Sequence, residues 1–245
     1  MDYGKSIAWP NPPPVLRKGM QYCQQIYNNW KARMIVNDIP IEKMVELRLK
    51  CIICDKVSGK KAGWGYEKEW LGNALQERPN PSQSQFAAAL GDLQTLNSDN
   101  KCYYSGTVEK LNRSLKTDKR IYVVTDSRFY RMDERFTMKK KRPVEFSGVT
   151  GISMSSGRDQ GVVIHCAPEY GGDCVCYVTD NRPAAELAAA LCFACKRRTG
   201  KLIPITISDN IDYRISGKAK GLSFRQGPTG FQKVDGSRAV LQWSE

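Results

Sequence analysis

An α+β fold is predicted by three features of the sequence. Apolar residues recur every three or four positions between Val15 and Asp55. They fall at every second position after Asn100, and the helical spacing returns once more between Pro183 and Arg198. A period near 3.6 marks an amphipathic helix and a period of two marks a strand.

Taken in order, residues 1–14 form an extended lead, because the prolines of "WPNPPP" lack a backbone N–H and bias their predecessors away from helix. Leu16, Met20, Cys23, Ile26, Tyr27, Trp30 and Met34 then line one helix ending near Val36. Asn37 or Asp38 can cap a second helix over 40–56, with Pro40 in its first turn. "SGKKAGWG" breaks it, a short helix over Tyr66–Leu75 follows, and "ERPNPSQSQ" is a loop. Trp30, Trp64 and Trp70 are large apolar side chains, and all three are expected to be packed. Strands are expected at 101–110, 119–126, 128–133, 143–147, 150–155, 161–166 and 173–179, separated by turn residues such as Gly148 and the Gly171–Gly172 pair. "RPAAELAAALCFACKRR" is one helix, with Pro183 in its first turn and three cations at its C-terminal end, where the dipole favours them. "LIPITI", "YRIS", "LSFRQ" and "AVLQW" are further short strands, placed either on the same sheet or beside it.

Composition narrows the function. The 245 residues carry a formal net charge of +13, which points to phosphates, anionic lipid or an acidic protein surface as partner. The N-terminus has no apolar stretch of the signal-peptide kind. The most apolar helical run, Ala184 to Cys195, is far shorter than the roughly twenty residues that span a bilayer. Membrane contact would therefore be peripheral and the location cytoplasmic. Nine cysteines fit a reducing compartment. Cys51–Cys54 and Cys192–Cys195 have the spacing of zinc ligands, but their apolar spacers and helical setting favour packing, and no metal or cofactor is expected. His165, the single histidine, lies in the apolar run "GVVIHC" without sequence neighbours suited to catalysis. Nothing supports an enzyme. Nucleic acid is disfavoured because the loop cations are not interleaved with aromatics.

The cations concentrate in "KLNRSLKTDKRIYVVTD", residues 110–126. Lys110, Arg113, Lys116, Lys119 and Arg120 precede four apolar residues, Ile121 to Val124. The pattern describes strand, basic loop, strand, with positive charge at one mouth of a sheet. Arg128, Arg131, Arg135, Lys139, Lys140, Lys141 and Arg142 surround a later turn, expected at the same open end, where they would form a secondary basic face; an ordinary solvated turn is the alternative.

Seven strands followed by one helix match the plan of a pleckstrin-homology barrel plugged by its C-terminal helix. Several stretches, in order, resemble the tail homology 1 region of class I myosins, and within it the short-tailed D-type subgroup. These are "NNWKARMIVNDIPIEKMVELRLK", "SGKKAGWGYEKEWLGNAL", "KLNRSLKTDKRIYVVTDSRFYRMD" and "VTGISMSSGRDQGVVIH"; "MDYGKSIAWPNPPPVL" resembles the junction after the neck. The resemblance implies a helical part over 15–98, a pleckstrin-homology-like domain over 99–200 and a β extension over 201–245. It also implies a membrane-binding tail of a single-headed actin-based motor, docking to anionic phospholipids and phosphoinositides and linking membrane or cargo to cortical actin. A protein cargo or adaptor module with only electrostatic membrane contact is the alternative. The chain carries no phosphate-binding loop of the nucleotide-hydrolysing kind. Actin and calmodulin-type light chains are expected to bind parts of the longer protein outside it. Matched to the family's headgroup positions, Lys110 and Arg120 take the two strand ends, both expected to be largely exposed, and Arg113, Lys116 and Lys119 line the loop. Asp118 stands where a basic residue is common, and Lys119 and Arg120 would point to opposite faces.

Overall fold

The computed structural model describes residues 13–97, 99, 101–138 and 142–244. The chain divides into two compact units, one ending at Leu47 and the other beginning at Arg48. In the first, a 3-10 turn (Pro14–Leu16) leads into helix α1 (Arg17–Asn37), close to the expected span. α1 contains no buried residue. Its half-buried line is Met20, Tyr27, Lys31 and Met34. Trp30, expected to be packed, lies tilted against Tyr27 (ring centroids 5.9 Å apart) and remains 56% exposed. Helix α2 (Ile41–Val57) follows.

From Arg48 onward, three layers of apolar contact build the second unit. Trp64 and Trp70 are buried as expected. The helix expected over Tyr66–Leu75 shortens to α3 (Ala74–Glu77). Gly65 and Gly72 bracket the segment before it at positive φ (84° and 55°). Lys50 Nζ draws off the carbonyls of Tyr66 and Lys68 (2.9 and 2.7 Å), and Trp70 Nε1 takes that of Gly65 (2.9 Å). Carbonyls committed to side chains cannot continue a helix. Helix α4 (Gln83–Asn97) begins inside the stretch expected to be loop. Asn80 prepares its start by accepting the Ser82 N–H (3.0 Å).

The strands are β1 (Cys102–Leu111), β2 (Thr117–Thr125), β3 (Arg128–Met132), β4 (Val144–Glu145), β5 (Val149–Met154), β6 (Gly161–Cys166) and β7 (Cys174–Val178), followed by helix α5 (Ala184–Thr199). β8 (Ile205–Ile207) pairs in parallel with β5 and extends this sheet to eight strands, in the order β4-β3-β2-β1-β7-β6-β5-β8. β4 and β8 remain its two edges, so hydrogen bonding does not close the expected barrel. β9 (Asn210–Ile215), β10 (Lys218–Gln226), β11 (Gly230–Lys233) and β12 (Arg238–Trp243) form a separate four-stranded sheet.

α5 plugs the inner face. Ala184, Ala185, Ala188, Ala189 and Ala190 are fully buried, and their small side chains bring the helix close to the strands. Cys192 and Cys195 pack in this core, whereas Cys51 on α2 faces outward. Phe86, Leu90 and Leu93 of α4 cover another face, against Ile121, Val123, Tyr130 and Met132. Leu111, Leu115, Val163 and Val175 pack against Ile211, Tyr213 and Leu241 of the smaller sheet. These layers explain the unbroken "IYVV". Tyr122 and Val124 face α5 while Ile121 and Val123 face α4, so both faces of β2 are buried there.

Candidate functional site

β2 changes character along its length. Thr117 to Arg120 are exposed or half-buried, and Ile121 to Thr125 are buried. The register places Lys110 opposite Asp118 and Val108 opposite Arg120. Side chains alternate across a strand, so Lys110, Asp118 and Arg120 share the face of Tyr122, and Lys119 points the other way with Glu109. Lys110 and Arg120 therefore sit at the open end of the face that α5 plugs elsewhere. Both are half-buried, less exposed than expected, because the neighbouring strand end and the tip of the smaller sheet flank them.

They line a cleft of about 340 Å³ together with Asn112, Arg113, Asp118, Arg131, Asp133, Ile215 and Ser216. Asp118 lies 3.6 Å from Arg120 Nη2 and accepts from Asn112 Nδ2 (3.4 Å). The intervening loop is tightly built. Asn112 Oδ1 accepts the N–H groups of Ser114 (2.9 Å) and Lys116 (3.1 Å), and Leu115, at φ 59°, turns its side chain into the core beneath.

Arg131 is displaced from its expected role. It is buried, with 8% exposure, and it belongs to this cleft rather than to a secondary face. Its Nη1 donates to Cys174 Sγ (3.2 Å) and its Nη2 to the carbonyls of Tyr170 (3.1 Å) and Arg142 (3.4 Å). The hydrogen bond from Cys166 holds the Cys174 thiol well below its usual range. Burial opposes this, and the charge of Arg131 reinforces it.

The other expected cations scatter. Lys116 and Lys119 are exposed outside the cleft lining, and Arg135 and Arg142 are exposed in the connection from β3 to β4. Lys139, Lys140 and Lys141 lie outside the described residues. Arg128 sits at the opposite end of β3, paired with Glu145 (4.0 Å) beside a separate cavity of about 270 Å³. The turn from β2 to β3 is a strand length away from the basic loop, so one basic face cannot include it. Asn112 could have been found from its place at a strand end before a polar loop. Ser216 and Ile215 carried no local signal, since a long-range docking brings them to the cleft.

His165 does have partners. Its Nε2 lies 2.8 Å from Ser153 Oγ and its Nδ1 3.2 Å from Asp173 Oδ2. Asp173 also accepts the backbone N–H groups of Cys166 (3.0 Å) and Arg214 (2.8 Å). Burial pushes its pKa up, but these bonds outweigh it and hold the carboxyl below the usual range. The trio has the order of a hydrolytic triad but works as a clamp, fastening β9 to the β6–β7 connection. Among the described residues, no cluster of three or more His, Cys, Asp and Glu suits a metal ion, and no helix is long and apolar enough to cross a membrane.

A cation-lined cleft on a sheet plugged by a helix defines a binding module. Residues 61–242 match the family of the unconventional myosin tail, actin- and lipid-binding, and the chain belongs to this tail homology 1 family of the myosins I. It is 31% identical over 207 residues to unconventional myosin-Id of Danio rerio, covering 84% of this chain and 19% of that protein. The human myosin-Id is 33% identical over 166 residues (67% and 16%), and mouse myosin-Ig is 30% identical over 232 residues (92% and 22%). The chain thus spans a small part of these relatives' length, and the match is to a tail, not a motor. The family description places actin binding in the tail itself, which corrects the expectation that actin contacts lie only elsewhere. Among solved structures, the hSac2 domain from human phosphoinositide phosphatase Sac2 aligns over 53% of this chain and 92% of that domain, with 15% identity and a TM-score of 0.38. That likeness is too slight to carry an argument.

Proposed function

We propose that the second unit grips anionic membrane through the cleft between β1 and β2, with Lys110, Arg120 and Arg113 holding the phosphates of a phosphoinositide headgroup. In this reading 99–200 acts as a pleckstrin-homology-like module, preceded in the chain by the helical part 15–98 and followed by the β extension 201–245. Lys116, Lys119, Arg135 and Arg142 supply weaker long-range attraction around the rim. The longer protein would be a single-headed actin-based motor whose tail docks peripherally at the plasma membrane and ties it to cortical actin.

One observation carries the reading: Lys110 and Arg120 lie on one sheet face, in a cleft of about 340 Å³ that also reaches Arg113 and Arg131. Four cations face two carboxylates there, Asp118 and Asp133. Arginine offers a planar fork for bidentate phosphate contact, and lysine a mobile point charge. Co-sedimentation with phosphoinositide vesicles tests it. Lys110→Ala with Arg120→Ala should weaken binding about thirtyfold, at roughly 1 kcal/mol per charge near the surface. Asp118→Asn should tighten it, by freeing Arg120. Unchanged binding in the double variant would refute the cleft as the headgroup site.

A further inference from the structure

The smaller sheet supplies part of the cleft wall, and its contribution is a hydroxyl. β9 and β10 are joined by a two-residue turn, Ser216–Gly217, with Ile215 paired to Lys218. Both turn residues have positive φ, 52° and 79°. Such turns favour Asn or Gly at the first position, and a serine in the left-handed region is uncommon. What serine adds over those residues is a reactive oxygen. The tip is exposed, yet it is held in place. Asp173 N–H donates to Arg214 O (2.7 Å), Asp173 Oδ2 accepts Arg214 N–H (2.8 Å), and Ile215 bridges to Gly172. Arg214 and Lys218 flank the serine with positive charge.

We propose that Ser216 is a phosphorylation site whose phosphate occupies this chain's own cationic cleft and excludes the lipid phosphate. The proposal rests on the headgroup reading of that cleft. A basic-directed protein kinase would transfer the γ-phosphoryl of a nucleoside triphosphate to Ser216 Oγ. The bond to the β-phosphate oxygen breaks, the hydroxyl proton passes to the kinase's base and the nucleoside diphosphate departs. The product carries close to two negative charges and three acceptor oxygens. Lys110, Arg113, Arg120 and Arg131 line the same cleft and can receive them, against the carboxylates of Asp118 and Asp133. The clamp on β9 keeps the modified residue over the cleft rather than releasing it to solvent.

The test uses the full chain in three arms. A kinase that selects arginine two positions before serine, supplied with ATP, should phosphorylate Ser216, read by mass spectrometry and absent in Ser216→Ala. Chain carrying phosphoserine at 216 should then bind phosphatidylinositol bisphosphate vesicles about thirtyfold more weakly, two charges being cancelled. Its phosphorus NMR titration midpoint should fall below the ordinary value of about 6, and return to it in Lys110→Ala with Arg120→Ala. No incorporation by the kinase, or an ordinary midpoint that the double variant does not move, overturns the proposal. Full vesicle binding by the phosphorylated chain, where the double variant loses binding, overturns the competition and leaves the headgroup reading standing. If the double variant binds vesicles normally, the headgroup reading has failed. Occupation of the cleft is then decided by the titration alone, a lowered midpoint supporting it and an ordinary one refuting it.

Discussion

Two arginines are buried in the second unit, and they are treated differently. Arg182 lies between β7 and α5 with its charge answered by two carboxylates. Asp180 accepts from it at 2.7 Å, Glu186 lies 3.6 Å away, the carbonyls of Ser105 and Gly72 accept at 2.6 and 3.0 Å, and its guanidinium stacks 4.3 Å from the Tyr104 ring centroid. Arg131, at the base of the cleft, has a cysteine sulfur and two carbonyls. Among the described residues, no carboxylate is within ion-pair distance of it. A buried cation with its counter-charges supplied is a structural fastening, because breaking such a set leaves other charges stranded. Arg131 is held instead by a sulfur and two carbonyls, with no carboxylate partner among the described residues, so its removal strands no carboxylate.

Stability measurements separate the two arginines. Arg182→Ala should cost about 3–5 kcal/mol in urea unfolding, since Asp180 and Glu186 lose their partner inside the protein. Arg131→Ala should cost about 1–2 kcal/mol, the loss of hydrogen bonds to two carbonyls, while weakening vesicle binding. Equal destabilisation by the two would erase the distinction.

The surroundings of Arg182 also respond to pH. Burial raises Glu186 from an ordinary 4.5 to about 7, against the pull of Arg182 and the Gly72 N–H. A carboxyl raised in the folded state binds its proton more tightly there than in the unfolded chain. Its contribution is therefore full below about pH 4.5 and is lost as pH rises through 7, an effect of up to about 3 kcal/mol. Glu186→Gln should flatten that window in thermal melts taken across it. A slope unchanged by the substitution would mean that the carboxyl is ionised throughout. The smallest effect belongs to the rim. Arg135→Ala or Arg142→Ala should reduce vesicle binding less than about fivefold at low salt and not at all at high salt, because exposed charges beyond a Debye length of about 8 Å are screened. A loss that survives salt would move these residues into the cleft.

Much of this architecture is legible in the sequence where one local rule dominates. α5 announces itself through Pro183, the alanine run and the terminal cations, and the alternating strands follow from their period. The placing of Lys110 and Arg120 at two adjoining strand ends is readable because a short basic loop separates two strand-like runs. Where distant elements decide, the signal is missing. The segment 66–73 has helical spacing, but Lys50 and two glycines override it. "RFYRM" is buried almost throughout, so alternation could not reveal that Arg131 turns inward. β11 lies among glycine and proline in "QGPTGFQK" and offers only four residues. His165 finds Ser153 and Asp173 across strand pairings that sequence spacing does not encode.

The tightly built loop between β1 and β2 has a thermodynamic consequence. Leu115 is committed to the core, and Asn112 holds two backbone N–H groups across the turn. The backbone that carries Arg113 and Lys116 is thus ordered before any anion arrives. Ordering a flexible segment at the moment of binding consumes part of the interaction energy, and a segment already fixed avoids that loss. On the proposed reading, an incoming headgroup would have only side chains to immobilise, and affinity would be governed by charge and rotamer freedom rather than by folding of the loop.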